Sequence, residues 1–393
     1  MWYDKDKAGS GWRQAIKKDF LSEGIELSYN HPASGHGKKV SGLELLLDNQ
    51  FALAIENMSA GVCITDPRLP DNPIVYVNPG FTELTGYTPE DVIGKNCRFL
   101  QSENTDRQAV HKLREAIHNG QSITTILLNR RKNGSLFWNE LKINPVTDEK
   151  GDLVYYIGLQ TDVTLRVQAK QDMALAAKVQ RAMLPSRIDN ERFRIEPLYI
   201  PYAFISGDSY DFYWDEEQSV LSGYLYDIMG HGVATALQSS ALRVLFEQAS
   251  KKNLTLAEKL GWVNNACLPY LADEYFIAAI AFELDFRRKV LTYSAGGINY
   301  FLASTLKHNG LVSAPGMFLG VFEGTSFQQG EIPFKQGDSF FFFSDGLFDL
   351  LPSPMKRFSS NFDRTVNWLQ DLSQSECRRD DISALCIEIR TTG

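Results

Sequence analysis

The spacing of apolar residues divides the chain into parts of different character. Residues 1–40 are polar and show no sustained period, which indicates an N-terminal extension or a short cap. Over 41–58 the apolar residues recur every three or four positions, so this segment is predicted to be a helix with one apolar face. Such a face suits an interface or a lid.

Residues 59–164 show the short alternating runs of a small α+β domain. GVCITD and IVYVN read as strands on either side of the turn DPRLPDNP. Three later runs, SITTILLNRR, LFWNELKINPV and LVYYIGLQTDV, are separated by the hairpin signals KNGS and TDEKGD. Residues 81–114 between these groups predict several small helices.

Residues 165–185 predict one continuous helix. The segment is rich in Ala, Gln, Leu, Lys and Met, contains no glycine, and ends at Pro185. Its three- and four-residue spacing has polar members, which argues against a permanent coiled coil. The positions with that spacing are Ala174, Ala177, Arg181 and Leu184. The helix is therefore either a rigid spacer or a dimeric helix that carries a signal.

Residues 186–393 alternate long strands with two helical stretches. The strands are rich in β-branched and aromatic residues, and the helices are predicted over Ala234–Lys251 and Leu256–Leu271. This pattern predicts an α/β sandwich. For the whole chain we predict an α+β fold with two domains, 59–164 and 186–393, which suits a length of 393 residues.

Charge and cysteine content exclude several classes of protein. The net charge of −8 argues against a general nucleic-acid binder. Five cysteines without a CxxC pair indicate reduced thiols rather than disulfides or a zinc site. The N-terminus lacks the apolar core of a signal peptide, and no apolar run is long enough to cross a bilayer. We therefore expect a soluble cytoplasmic protein that binds neither nucleic acid nor membrane.

The segment GKNCRFLQ, residues 94–101, resembles the signature of LOV (light, oxygen, voltage) domains, a flavin-binding branch of the PAS fold. The resemblance runs from about Gly61 to Thr164 and includes ITDPRLPDNP, NPGFTELTGY, FWNE and YYIGLQTDVT. It implies that Cys97 forms a reversible adduct with the ring of FMN after blue light. A lone cysteine is usually a small buried hydrophobe, so this interpretation depends on the flanking motif.

The same resemblance implies which residues contact FMN. Asn129, Asn139 and Gln160 fall on the three late strands, and amide side chains offer the donors and acceptors that the polar edge of the ring needs. Arg98 and Arg114 match the two arginines that hold the phosphate. The other matching positions are Thr65, Asn96, Cys97 and Gln101. Taken singly the amides are ordinary strand residues, whereas together they fit a flavin site.

In the second domain, aspartates widely separated in sequence lie at predicted strand ends: Asp208, Asp227, Asp345 and the pair Asp380–Asp381. Hard divalent cations prefer oxygen ligands, and two such ions can activate a water for attack on a phosphoryl group. A single Asp-Gly pair is usually a turn, so only the set is informative.

The motifs AMLP, GDSYDF, DIMGHG, SAGG, GMFLG and GDSFFFFSDGLFD resemble the SpoIIE and RsbU type of PPM-family serine/threonine phosphatase. The resemblance implies two Mn²⁺ or Mg²⁺ ions held by carboxylates and by the carbonyl of Ile228. The matching carboxylates are Asp208, Asp227, Asp345 and Asp380. Asp211 is a candidate accessory ligand, Asp381 is the alternative to Asp380, and His231 is expected to be structural.

Two positions depart from the family pattern. Ile228 follows Asp227 where glycine is usual, and Gly297 replaces the histidine of SAGH. Isoleucine keeps the carbonyl but excludes glycine-only backbone angles. A weakened or tightly gated enzyme, or an inactive one, is consistent with these changes.

The order of sensor, helix and phosphatase predicts a blue-light-regulated protein phosphatase. The resemblance implies a phosphoprotein substrate, commonly an anti-sigma-factor antagonist, and a parallel homodimer through the linker and N-terminal helices. Light would shift the strand of Gln160, and residues 161–164 would pass that shift into the linker and so to AMLP. A light-gated binding module with an inactive phosphatase domain is the alternative. A flavin oxidoreductase is weaker because no nicotinamide motif is present.

Overall fold

The computed structural model describes residues 49–230, 232–271, 275–352 and 358–391. The chain divides into two compact units, Met1–Gln168 and Ala169–Gly393. The predicted N-terminal extension, the first part of the helix predicted over 41–58, and His231 lie outside the described residues.

The first unit is built on a five-stranded antiparallel sheet with the order β2-β1-β5-β4-β3. Its strands are β1 Gly61–Thr65, β2 Ile74–Val77, β3 Ile123–Arg130, β4 Leu136–Thr147 and β5 Leu153–Asp162. Its helices are α1 Asn49–Glu56, α2 Pro79–Thr85, α3 Pro89–Val92 and α4 Arg107–His118, with a 3-10 helix at Cys97–Leu100. The sheet and the short helices agree with the pattern predicted for 59–164.

Asn78 connects the N-terminal segment to this unit. It is 1% exposed, and its Oδ1 accepts hydrogen bonds from the backbone N–H of Phe81, at the start of α2, and of Val62 on β1. Its Nδ2 donates to the carbonyls of Ile55 and Ala60. One buried amide therefore caps a helix and fixes the chain that enters the sheet.

The predicted linker helix is observed as α5, Thr164–Met183. It begins two residues after β5 because Asp162 accepts a hydrogen bond from the N–H of Thr164 at its start. None of its side chains is buried. The helix contains the boundary between the two units, since Gln168 and Ala169 are consecutive residues within it.

The second unit contains two antiparallel sheets, with the orders β14-β11-β10-β9-β8 and β13-β12-β15-β16-β7-β6. The first sheet comprises β8 Ser209–Asp215, β9 Val220–Ile228, β10 Ile277–Asp285, β11 Val290–Gly296 and β14 Gln329–Pro333. The second comprises β6 Ile188–Asp189, β7 Phe193–Ile200, β12 Tyr300–Ser304, β13 Asn309–Ser313, β15 Ser339–Phe343 and β16 Ile382–Ile389. The helices are α6 Val233–Ser250, α7 Leu256–Cys267, α8 Asp345–Phe348 and α9 Phe362–Ser373.

Alternation along β15 shows how the layers form. Phe340 and Phe342 pack into the core between the two sheets, where Phe342 stacks on Phe282 of β10 at 4.4 Å. Phe341 and Phe343 point to the other face, which α8 and α9 cover. Burying each of these rings contributes about 1.5–3 kcal/mol. Helices α6 and α7 cover the outer face of the first sheet in the same way.

The second unit is thus an α/β sandwich of two sheets between two helical layers, and the prediction of an α+β fold is confirmed. None of the helices in the described ranges is both long and apolar enough to cross a bilayer.

Candidate functional site

Three amide side chains form a buried row across β3, β4 and β5. Asn129, Asn139 and Gln160 are at most 3% exposed. Asn139 Nδ2 donates to Asn129 Oδ1 at 2.9 Å and to Gln160 Oε1 at 2.8 Å. The strand register explains the row, because Asn139 lies opposite Leu127, two residues from Asn129, and Gln160 lies opposite Leu141, two residues from Asn139.

The row retains unused hydrogen-bonding capacity. Asn139 Oδ1 is buried and accepts no hydrogen bond within the described part of the chain. A buried acceptor without a donor is costly, so it indicates a partner that brings a donor to this face of the sheet. The polar edge of a flavin ring carries both donors and acceptors, and the residues present therefore fit FMN.

Cys97 lies at the first position of the 3-10 helix Cys97–Leu100 and is partly exposed. Its Sγ lies 3.8 Å from Sγ of Cys63, a buried residue in the middle of β1. Gln160 Nε2 in turn donates to Cys63 Sγ at 3.5 Å. The predicted reactive thiol and the predicted amide sensor are therefore bridged by Cys63, a residue that the sequence analysis did not select.

The shared hydrogen bond separates the acidities of the two thiols. Donation from Cys97, together with that from Gln160, lowers the pKa of Cys63, although burial opposes this. The same hydrogen bond with Cys63, together with burial, raises the pKa of Cys97 well above its ordinary value. Of the two thiols, Cys63 therefore has the lower pKa.

Asn96 and Arg98 stabilise the loop between β1 and β2. Asn96 Nδ2 donates to the carbonyl of Asp71 at 2.5 Å, and Nη1 of Arg98 donates to both carboxylate oxygens of Asp71, at 2.7 and 2.6 Å. Asp71 and Asn72 have left-handed backbone angles, φ 70° and 48°, which need such support. This charged hydrogen bond holds the Arg98 side chain at the loop.

The remaining predicted flavin contacts are distributed around the row. Thr65 is buried at the end of β1, opposite Ile74. Gln101 forms an isolated antiparallel bridge with Asn129. Arg114 is exposed on α4, so a phosphate bound by it would lie at the protein surface.

In the second unit, Asp208 and Asp227 form a buried acidic pair. Asp208 precedes β8 and is 1% exposed, while Asp227 lies near the end of the neighbouring β9 and is 9% exposed. Both oxygens of Asp208 are buried without a donor at hydrogen-bonding geometry among the described residues. Burial raises the pKa of Asp208 to about 7. Burial and the charge of Asp208 raise that of Asp227 well above its ordinary value.

Asp345 and Asp380 complete the acidic set from the second sheet. Asp345 begins α8 directly after β15, and Asp380 immediately precedes the segment that enters β16. Gly346 allows the close approach, since a Cβ there would lie 2.0 Å from the carbonyl oxygen of Asp381. The charges of Asp345 and Asp380 both act on Asp227, which brings four predicted ligands into one electrostatic cluster.

Asp381 has a different task from Asp380. It is 2% exposed, and its two carboxylate oxygens accept hydrogen bonds from the N–H groups of Tyr202 and Gly207, at 2.7 and 2.8 Å. It therefore fixes the turn that presents Asp208. Asp380 is exposed to solvent and accepts a hydrogen bond from the N–H of Asp381 at 2.8 Å. Its position suits a ligand better than that of Asp381 does.

The structure does not bring Asp211 to the other carboxylates. Neighbours of Asp211 on β8, Tyr210 and Phe212, point into the core between the sheets, so Asp211 points to the opposite, helical face. There its carboxylate pairs with Arg243 of α6 at 2.9 Å. Strand alternation therefore places Asp211 on the helical face, and its role as an accessory ligand stays a prediction.

No three Asp, Glu, His or Cys side chains in the described ranges converge on a single point as metal ligands do. Ions of the Mg²⁺ type often use one or two carboxylates and complete their shell with water, so such a cluster is not required. The unsatisfied oxygens of Asp208 and the mutual repulsion of the cluster fit a divalent cation, which would offset both.

The two departures from the family pattern have local explanations. Ile228 does not need a glycine-only backbone angle, since the left-handed angles fall on Gly230 and Gly232, φ 98° and 104°. Its side chain is fully buried with the helical layer, and a Cβ at Gly207 would lie 2.9 Å from its carbonyl oxygen. That oxygen therefore lies beside the turn that carries Asp208.

Gly297 has φ 91°, and a Cβ at this position would lie 2.4 Å from the ring of Phe318. Phe318 packs on Phe276 at 4.5 Å. Histidine at position 297 is excluded by Phe318 as well as by the backbone angle, so glycine there accompanies a local repacking.

The C-terminal end of α5 is bonded to the turn that carries Asp208. Gln180 Nε2 donates to the carbonyl of Ser206 at 2.7 Å, and its Oε1 accepts from the Ser206 N–H at 3.1 Å. Ser206 Oγ accepts a hydrogen bond from the N–H of Asp208 at 3.0 Å. Arg243, the partner of Asp211, also donates to the carbonyl of Met183. These contacts join residues distant in sequence, so no local motif indicates them.

Comparison with known families supports both halves of the chain. The model of the PAS domain matches residues 59–165, and that of stage II sporulation protein E (SpoIIE) matches residues 221–390. A blue-light photoreceptor of Listeria innocua is 49% identical over 111 residues, which cover 28% of this chain and 44% of that protein. Phototropin-1A of Oryza sativa is 45% identical over 131 residues, 33% of this chain and 14% of that protein.

Among solved structures, the LOV domain of a blue-light-activated histidine kinase of Erythrobacter litoralis is 38% identical, with a TM-score of 0.27, and covers 28% of this chain and 99% of that one. The chain spans less than half the length of the two curated relatives, so their whole activities do not transfer with the match. The family resemblances inferred from sequence are confirmed: residues 59–165 belong to the LOV type of PAS domain, and residues 221–390 belong to the SpoIIE phosphatase family.

Proposed function

We propose that this protein is a blue-light-regulated, metal-dependent protein serine/threonine phosphatase. The observation that carries the proposal is the buried pair Asp208 and Asp227: both carboxylate oxygens of Asp208 lack a hydrogen-bond donor among the described residues, and burial raises the pKa of both aspartates. A divalent cation would bind the carboxylate oxygens of such a pair and offset their negative charge. The amide row in the same chain provides the sensor.

In the sensor, FMN when bound supplies blue-light absorption and an electrophilic ring, and Cys97 supplies the thiol that reacts with it. Asn129, Asn139 and Gln160 bind and orient the polar edge of the ring. The high pKa of Cys97 keeps its proton on sulfur until light acts. The names of the Listeria photoreceptor and the rice phototropin support a light-sensing role.

In the phosphatase domain, Asp208, Asp227, Asp345 and Asp380 and the carbonyl of Ile228 would hold two Mn²⁺ or Mg²⁺ ions. The ions supply an activated water at neutral pH. Asp381 orients the Asp208 turn through two backbone N–H groups. The substrate in this proposal is a phosphoserine or phosphothreonine on a protein partner, of the kind found in anti-sigma-factor antagonists.

Light reaches the phosphatase through α5 in this proposal. The helix begins at Thr164, four residues after Gln160, and its other end is bonded through Gln180 to Ser206 and so to Asp208. A rotation of α5 would therefore displace Ser206, whose hydroxyl accepts the hydrogen bond from the N–H of Asp208. Two hydrogen bonds contribute about 1 kcal/mol each, and a free-energy difference of this magnitude between two states allows a reversible switch.

We further propose a parallel homodimer through α5 and the N-terminal helix. α5 buries no side chain of its own, and Leu175, Val179 and Met183 are 62%, 50% and 48% exposed at four-residue spacing. A shared apolar face would give that surface a partner. Light scattering of the full chain tests this: a monomer at micromolar concentration would contradict the dimer.

The decisive experiment measures Mn²⁺-dependent hydrolysis of p-nitrophenyl phosphate in darkness and in blue light. We expect Asp227→Asn and Asp345→Asn to abolish turnover, and Cys97→Ala to abolish its dependence on light. Asp363→Asn is the matched control, since it removes an exposed carboxylate of α9 whose side chain is 66% exposed. Equal turnover in darkness and light would contradict light control.

The alternative, a light-gated binding module, draws support from Gly297, where the family has histidine. The absence of Mn²⁺-dependent turnover in both light states, with light-dependent binding of a partner retained, would favour it over the enzyme.

A further inference from the structure

Cys63 brings a second thiol into the candidate flavin pocket. It lies 34 residues before Cys97 in the chain, yet the two sulfur atoms are 3.8 Å apart. Cys63 is 3% exposed and is fixed between two strands, opposite Val77 of β2 and Gly158 of β5. The packing of the sheet against the 3-10 helix therefore determines the distance between the two sulfur atoms.

Strand β5 contacts the Cys63 sulfur on one side. A Cβ at Gly158 would lie 2.8 Å from Cys63 Sγ, so the sulfur packs directly on the backbone of β5. Gln160 Nε2 donates to it from the same strand. Cys97 approaches from the side of the helices, within the apolar cluster that contains Ile74 and Phe81. The two thiols therefore face each other.

The two thiols differ in nucleophilicity and in how tightly the backbone holds them. The Gln160 and Cys97 donors lower the pKa of Cys63, which makes it the better nucleophile of the pair. Cys97 lies on a single 3-10 turn, the less constrained of the two backbones. A disulfide needs the sulfurs at about 2.05 Å, so Cys97 would have to approach Cys63 by roughly 1.8 Å.

We propose that Cys63 and Cys97 form a reversible disulfide under peroxide, and that this bond withdraws Cys97 from the flavin and makes the sensor insensitive to light. The loss of light sensitivity rests on the proposed photochemistry of Cys97. Formation of the disulfide does not depend on that photochemistry. Oxidising conditions would thus override the light signal.

The reaction balances with hydrogen peroxide as the oxidant. The Cys63 thiolate attacks one peroxide oxygen, the O–O bond breaks, and the leaving hydroxide takes a proton to become water, which leaves Cys63 as a sulfenic acid. Cys97 sulfur then attacks Cys63 sulfur, the S–O bond breaks, and the Cys97 proton leaves with the hydroxide as a second water. Two thiols and one peroxide give one disulfide and two waters, and a dithiol reductant reverses the change by exchange.

The test uses the full-length flavin-loaded protein, kept in darkness, before peroxide, after peroxide and after subsequent dithiothreitol. Peptide mapping without reduction reports the Cys63–Cys97 cross-link, and bleaching of the flavin absorption by blue light reports the photochemistry. The variants are Cys63→Val and, as a second replacement in case valine perturbs folding, Cys63→Ala. Cys386→Val is the matched control, because Cys386 is a buried thiol of the other unit.

We expect wild type and Cys386→Val to form the cross-link and to lose at least tenfold in the extent of bleaching, with recovery after dithiothreitol. Both Cys63 variants should keep bleaching after peroxide. Absence of the cross-link, a cross-link that leaves bleaching intact, or equal peroxide sensitivity of the Cys63 variants would each overturn the proposal. If untreated wild type does not bleach, the proposed light function fails, while the cross-link still decides whether the disulfide forms.

Discussion

The two candidate sites bury polar side chains in different ways. In the sensor, Asn129, Asn139 and Gln160 are neutral and form two hydrogen bonds with one another, while Asn139 Oδ1 has no donor among the described residues. In the phosphatase domain, the carboxylates of Asp208 and Asp227 repel each other when both are ionised, and this repulsion contributes to the raised pKa of Asp227. A row of amides satisfies part of its own hydrogen-bonding capacity and leaves the rest to a ligand, whereas a pair of carboxylates requires a cation or a proton.

The largest expected effect tests the charged site. Asp227→Asn removes one carboxylate of the pair but keeps its shape, so Mn²⁺ binding should weaken strongly and turnover of p-nitrophenyl phosphate should fall about a thousandfold. The melting temperature in the absence of metal should rise, because the repulsion with Asp208 disappears. A variant that keeps wild-type turnover would show that Asp227 is not a metal ligand.

The second prediction concerns pH in metal-stripped protein. The folded-state pKa of Asp208 is about 7 against an ordinary value of 3.8, so between these values the folded state binds more protons than the unfolded state. The free energy of unfolding should therefore fall as pH rises from about 4 to about 7, by about 4 kcal/mol for this group.

Mn²⁺ should abolish that pH dependence, since it replaces the proton. Urea unfolding at pH 5 and pH 7.5, with and without Mn²⁺, measures both slopes. Stability of the metal-stripped protein that rises over this range would contradict the assignment of a raised pKa.

The third prediction tests the neutral site. Asn139→Leu leaves the oxygens of Asn129 and Gln160 without their common donor, which costs about 1–3 kcal/mol for each buried group. The first unit should stay folded while FMN occupancy of the purified protein falls. Thr124→Leu, at an exposed position of β3, is the control. Full occupancy in Asn139→Leu would show that the row does not bind the ring.

The smallest effect concerns the connection to α5. Gln180→Ala removes two hydrogen bonds to Ser206, worth about 1 kcal/mol each, so the ratio of phosphatase turnover in light to that in darkness should change about fivefold or more. Lys178→Ala, an exposed neighbour on α5, should leave the ratio unchanged. An unaltered ratio in Gln180→Ala would place the coupling elsewhere.

Local sequence signals determined much of this protein. Strand alternation and turn residues predicted the sheet of the first unit, and the absence of glycine and proline predicted α5 nearly to its observed ends. The resemblance to LOV domains selected the amides of β3, β4 and β5, and the period of two along a strand is consistent with their common face. The motif around Cys97 predicted the LOV domain, and the aspartates at strand ends predicted the acidic cluster.

Only the tertiary structure decided which of these residues meet. It separated Asp381, bonded to backbone N–H groups, from Asp380, and it turned Asp211 to the helical face. It also brought Cys63 to Cys97 and Gln180 to Ser206. A local pattern determines which face of a helix or strand a residue occupies. The residue that it contacts across that face depends on how distant elements pack, which sequence periodicity does not indicate.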